Sequence, residues 1–371
     1  MTRWTADDLG RRVDAEATTA PLVGPGRPAR VLAGEDIWDP WPLQEEDGTP
    51  SIVDGAELWM ALAAPAVGHP DARHDVARLR LFSVRDGRWQ DLGPLFGDGE
   101  TPGSREWSGS AIRRADGLVS VFYTAAGALG EPRVTYAQRV MEARMHLERD
   151  DGRVRLRSEG PHREVVRSDG RTYLLADELE GAPGMIRAFR DPGWFRDPAT
   201  GRAHLLIAAS VAHAGGFTGA IALADEQCEE PAWELRPPLL GAAGVNHEIE
   251  RPHVIVRDGR YYLFFSTHRH AFHAVAAPTG LYGFVADALT GQYRPLNGSG
   301  LVLQNPRSQP DQAYAWLVLP DLRVVSFLDY RSLGDMGSGE LDAESARAAF
   351  SGTIAPVVRL MLDDDRTAIV Q

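Results

Sequence analysis

Residues 35–48 read EDIWDPWPLQEEDG, and an apolar run, ELWMALAAP, begins at Glu57. The stretch decides the fold because it recurs. Asp39 stands nine residues before Gly48, as Ser108 stands nine before Gly117 of RADG and Glu250 nine before Gly259 of RDG, while Asp191 stands ten before Gly201 of ATG. After each glycine comes a segment of strand length and composition: ELWMALAAP, LVSVFYTAAG, AHLLIAAS and YYLFFSTH. A weaker fifth copy, DQAYAWLVLPDLRVVSFLDY, has Pro-Asp at its turn. The anchors at 39, 108, 191, 250 and 314 are 69, 83, 59 and 64 residues apart. RWQDLGPLF, AWELRPPLL and QYRPLNGSGLVL close three of the units as outer strands running into loops. Four strands per unit, repeated radially, predict an all-β fold, a five-bladed β-propeller. A β-sandwich or several small β domains are the rivals that spacing alone leaves open. The propeller is expected over residues 31–371, after a short, partly helical N-terminal segment, residues 1–30.

The 371 residues carry a net charge of −13 and a pI near 5.3. That balance argues against nucleic acid or an anionic membrane as partner, since both select basic surfaces. Cys228 is the single cysteine, which excludes an intrachain disulfide and a thiolate metal cluster. The opening MTRWTADDLGRRVDAEA has no apolar run of signal-peptide type, and no run reaches the roughly 18 residues of a membrane span. A soluble protein is expected, cytoplasmic by sequence, with export by a non-classical route left open.

If each first strand is the innermost of its blade, Asp39, Ser108, Asp191, Glu250 and Tyr314 converge at one end of a central channel. Several carboxylates in one funnel repel unless they have partners, and Arg190 and Arg251 adjoin two of them. Trp38 and Trp41 flank Asp39. Indole faces beside a carboxylate suit a sugar, although a turn with two core tryptophans also accounts for WDPW by itself.

IWDPWPLQ, EWSGSAIRR, FRDPGWF and HEIERPHVIVRDGRYYLF together resemble glycoside hydrolase family 68, the levansucrases, inulosucrases and related β-fructofuranosidases. The resemblance spans roughly residues 31–371 and implies a five-bladed propeller that takes sucrose and passes fructose to water, small sugars or a growing fructan. It makes Asp39 similar to the family nucleophile, Glu250 to the general acid/base, and Asp191 to the carboxylate that stabilises the transition state. Trp38, Trp107, Ser108 and Arg190 fall where the family binds the fructosyl ring. Glu248 and Arg251 flank the acid/base, and His268 resembles a histidine beside the leaving glucose or the acceptor.

The implied reaction is retaining, through a covalent fructosyl-enzyme, with two carboxyls about 5 to 5.5 Å apart. Asp39 is expected to stay ionised beside a cation such as Arg190. Glu250, crowded by Glu248, is expected to hold a proton. Asp197, in the second Arg-Asp-Pro, reads instead as a hairpin residue, because Pro-Ala-Thr-Gly follows. His268, His270 and His273 lack further ligands nearby and do not read as a metal cluster. Two departures stand out: Pro40 replaces a small polar residue of many relatives, and His247 an acid of the calcium-binding ones. No metal or cofactor is expected. A mainly hydrolytic β-fructofuranosidase, an inulosucrase, an inverting arabinan-cleaving propeller and a silent sugar-binding propeller are the alternatives.

Overall fold

A computed structural model describes residues 1–24, 29–150, 153–181, 185–227, 232–273, 275–331 and 338–370; Cys228 lies outside them. The five apolar runs all form strands, Ala56–Pro65, Val119–Ala126, Ala203–His213, Arg260–Thr267 and Arg323–Tyr330. Each pairs antiparallel with a strand that opens its unit: Glu35–Gln44, Arg105–Arg113, Phe189–Arg196, Glu250–Arg257 and Ala313–Val318. Gly48, Gly117, Gly201 and Gly259, the glycines that set the spacing, all adopt positive φ, between 70° and 86°. Asp258-Gly259, like Asp54-Gly55 and Asp86-Gly87, places both residues in the left-handed region, the geometry of the tight hairpin turns that match strand twist.

Among the described residues the strands form four hydrogen-bonded sheets. The largest joins two antiparallel units through a short parallel pairing of Leu43 and Gln44 with Ala111 and Ile112. Segments read as outer strands do lie outside: Arg88–Pro94 ends its sheet, and Trp233–Gly241 and Leu301–Gln304 flank theirs. Each opening strand contacts the next, and Glu35–Gln44 contacts Ala313–Val318, so the opening strands close a ring.

One extra residue interrupts every opening strand at the same depth. Asp39-Pro40, Ser108, Asp191-Pro192, Arg251-Pro252 and Ala315-Trp316 fall between ladder pairs, and Asp39, Asp191, Arg251 and Ala315 have φ between 51° and 56°. Such a bulge re-aims a side chain at the cost of local strain. Proline is tolerated at its second position because no ladder bond awaits its missing N–H, which explains Pro40. The register corrects the spacing by one residue. Arg251 is the counterpart of Asp39 and Asp191, while Glu250 takes the place held by Trp38, Trp107, Arg190 and Tyr314.

Close packing of neighbouring strands has a testable consequence. A Cβ on Gly109 would lie 1.9 Å from the Phe122 carbonyl oxygen, a backbone atom that cannot rotate away. Gly109→Ala is expected to cost about 3 kcal/mol or more, at or above the upper end of overpacking. A urea midpoint matching the parent would contradict this.

The N-terminal segment is short and partly helical, with Ala6–Leu9 and Ala15–Thr18, but it is sewn into the sheets. Thr2 and Arg3 pair in parallel with Leu240 and Gly241, and Trp4 is buried among Phe265, Phe272, Tyr282 and Phe284. Its indole N–H donates to the Ser299 carbonyl.

Candidate active site

The bulges aim their neighbours into one cavity of about 630 Å³ at the end of the ring. Its wall contains Trp38, Asp39, Trp107, Ser108, Arg190, Asp191, Glu248, Glu250, Arg251, His268 and Tyr314, whereas Trp41, the second indole beside Asp39, is buried and lines a different cavity. Asp197 is elsewhere. It accepts from Tyr261, Thr200 and the Ala199 N–H, as a turn residue should. The histidines divide: His270 joins His268 at the cavity, whereas His273 lies against His247, ring centroids 3.7 Å apart and planes tilted by 39°.

Arg190 organises the acids. Its guanidinium donates to Glu248 and to Glu250 (3.2 Å), and its Nε is 3.9 Å from Asp191 Oδ2. Burial works against this cation, but the three carboxylates hold its pKa above the ordinary value. Tyr314 donates its hydroxyl to the other oxygen of Glu250. Burial pushes Glu248 up to about 7, against Arg190, with Glu250 and Asp191 adding repulsion. Asp191 likewise rises to about 7, by burial and by the charges of Glu250 and Asp39. Glu248 and Asp191 therefore titrate together near neutrality.

Asp39 accepts a hydrogen bond from Ser108. Burial raises its pKa, while Arg251, Ser108 and Arg73 oppose the rise. The expected counterion is therefore corrected: Arg190 is engaged with the other acids, and Arg251 and Arg73 supply the positive potential at Asp39. Arg251 also pins the bulges to one another, donating to the Pro40 carbonyl (2.7 Å) and the Ala315 carbonyl (2.8 Å), while its N–H donates to Asp191 (3.3 Å).

Trp38 and Trp107 are buried walls beside Asp39 and Ser108. Trp107 donates to the His74 carbonyl at 3.0 Å, and the His268 ring stacks on Tyr314 with centroids 3.5 Å apart. Burial pulls His268 well below the usual imidazole range, so it is neutral.

Asp71, Arg73, His74, Asp311, Asp329 and Tyr330 also line the cavity and were not foreseen. Arg73 and His74 sit in or beside a single 3-10 turn, Pro70–Asp75, which has no periodicity to read. Asp329 had a signal, as the acid inside the otherwise strand-like VVSFLDY.

A native state in which Glu248 and Asp191 titrate near 7 holds protons that the unfolded chain releases near 4. That contribution to stability is complete below the unfolded pKa values and is lost as pH rises through about 7. The urea midpoint of the protein should fall across that window, and Glu248→Gln should flatten the slope. An equally steep slope in the variant would remove Glu248 from the cluster.

The family model described as Levansucrase/Invertase matches residues 1–222 and 216–371. The chain belongs to glycoside hydrolase family 68. Family 68 relatives include levansucrase LscA of Pseudomonas savastanoi pv. glycinea, 32% identical over 99% of this chain and 94% of that protein. A solved inulosucrase from Halalkalicoccus jeotgali, bound to kestose, is similar at 40% identity and a TM-score of 0.91, covering 100% of this chain and 95% of that one. The β-fructofuranosidase catalytic domain of Microbacterium saccharophilum K-1 gives a TM-score of 0.83 at 25% identity, covering 100% of this chain and 90% of that one.

Proposed function

We propose that this family 68 protein is a retaining, sucrose-cleaving fructosyltransferase of levansucrase type, built as a five-bladed propeller whose cavity lies at one end of the axis. The carrying observation is that Asp39, Asp191 and Glu250, from three opening strands spread over more than two hundred residues of sequence, face one cavity with Arg190 binding two of its acids, Glu248 and Glu250.

Asp39 attacks the anomeric carbon of the fructosyl unit, its carboxylate oriented by Ser108 and held by the potential of Arg251 and Arg73. Glu250 protonates the departing glucose oxygen; the proton comes from the group of acids around Arg190, and Tyr314 fixes the orientation of the carboxyl. Asp191 stays in place and offsets the positive charge that develops on the ring. Glu250 then accepts a proton from an incoming sugar hydroxyl or water, and the fructosyl unit leaves with net retention. None of these steps calls for a cofactor.

Incubation with sucrose tests the reading. Glucose should appear, and its excess over free fructose measures transfer. Absence of glucose would overturn the proposal. A β-2,1 product is the second reading, because identity is higher to the inulosucrase (40%) than to LscA (32%). Linkage analysis of the product decides between them.

A further inference from the structure

Asp329 lies on the strand Arg323–Tyr330, is 4% exposed, and faces the cavity. Its Oδ1 is buried with no hydrogen-bond partner, and the nearest cation is Arg73, whose guanidinium is 4.0 Å away. Arg73 is itself fixed. It donates to the Pro70 carbonyl (3.0 Å), and its guanidinium carbon lies 5.3, 5.9 and 4.6 Å from the ring centroids of Trp38, Phe327 and Phe350. Its Nε also has no partner. An acid and a guanidinium, both buried and both with an idle polar atom, therefore line the same cavity without joining the hydrogen bonds that Arg190 makes to Glu248 and Glu250. Burying such groups without partners is unfavourable, and a ligand rich in hydroxyls would satisfy both.

We propose that Asp329, supported by Arg73, is a specificity-determining residue that binds hydroxyls of the non-fructosyl sugar, the glucose of the donor and then the acceptor. The inference rests on the sucrose reading above. Three features support it. The fructosyl side of the cavity is already occupied by the Asp39, Asp191 and Arg190 contacts. Trp38, the chain neighbour of Asp39, lies under the Arg73 guanidinium, so the pair stands one side chain away from the nucleophile. Burial pushes Asp329 up to about 8 despite Arg73, so at neutral pH its carboxyl is protonated and can both donate to and accept from a hydroxyl.

The test compares two donors in the wild type, Asp329→Ala and Asp329→Asn: sucrose, and β-fructofuranosyl fluoride, whose leaving group makes no sugar contacts. Asp329→Ala should lower kcat/KM for sucrose about tenfold, the scale of one well-made buried hydrogen bond. It should also lower the ratio of transfer to hydrolysis, while hydrolysis of the fluoride stays within about twofold. Asp329→Asn, which keeps one donor and one acceptor, should recover most of the sucrose activity. Equal losses on both donors, or no loss on either, would overturn the assignment; a fall in thermal midpoint accompanied by equal losses would mark a merely structural acid. A wild type that cleaves the fluoride but releases no glucose from sucrose would defeat the parent reading instead.

Discussion

Asp39→Asn is expected to abolish glucose release from sucrose, lowering it by about 10⁴-fold or more while the fold survives. The two halves of this result have separate causes. Activity disappears because an amide cannot form the glycosyl ester, and a loss of that size corresponds to about 5.5 kcal/mol of barrier. Stability persists because Asn is one of the few side chains that accept the left-handed backbone found at this bulge, φ 51°. Ser108 retains an oxygen to donate to, and a neutral group replaces one that burial holds above the usual carboxylate range. The thermal midpoint should equal or exceed that of the parent. Undiminished turnover in a folded variant would dispose of the nucleophile.

Glu250→Gln should behave differently with different leaving groups. On sucrose the loss should be about 10³-fold, within the range for a positioned general acid, because glucose departs poorly without a proton. On a fructosyl fluoride the first step needs no such help, and the loss should be nearer tenfold. A part of that residue is structural. Tyr314 and Arg190 donate to opposite oxygens of Glu250, and the amide must turn its NH₂ toward one of them. Equal losses on both substrates would count against the acid role.

The strands were legible because Asp-Gly and related turns punctuate runs of aromatic and branched residues, a signal local to each segment. Convergence was legible too, since the repeat implied a common axis. What spacing could not register was the bulge: counting from the turn glycine matched Glu250 with Asp39, whereas the ladder matches Arg251 with it. The same blindness misassigned the counterion, because which arginine faces which acid depends on side-chain direction across neighbouring sheets. Arg73 was hidden in a turn with no repeat, whereas Asp329 showed only as a lone acid in a run whose other members are core. Trp4 was hidden for a related reason, since a segment of two residues pairing as a strand has no periodicity to detect.

The closure of the ring by its first and last members fixes the order of events during biosynthesis. Trp38 and Asp39 emerge from the ribosome long before Tyr314 and Asp329, yet all four bound the same cavity. Early sheets can pair as they are made, but the cavity wall stays incomplete until the strands Ala313–Val318 and Arg323–Tyr330 dock on Glu35–Gln44. A chain that ends before those strands is therefore expected to release no glucose from sucrose.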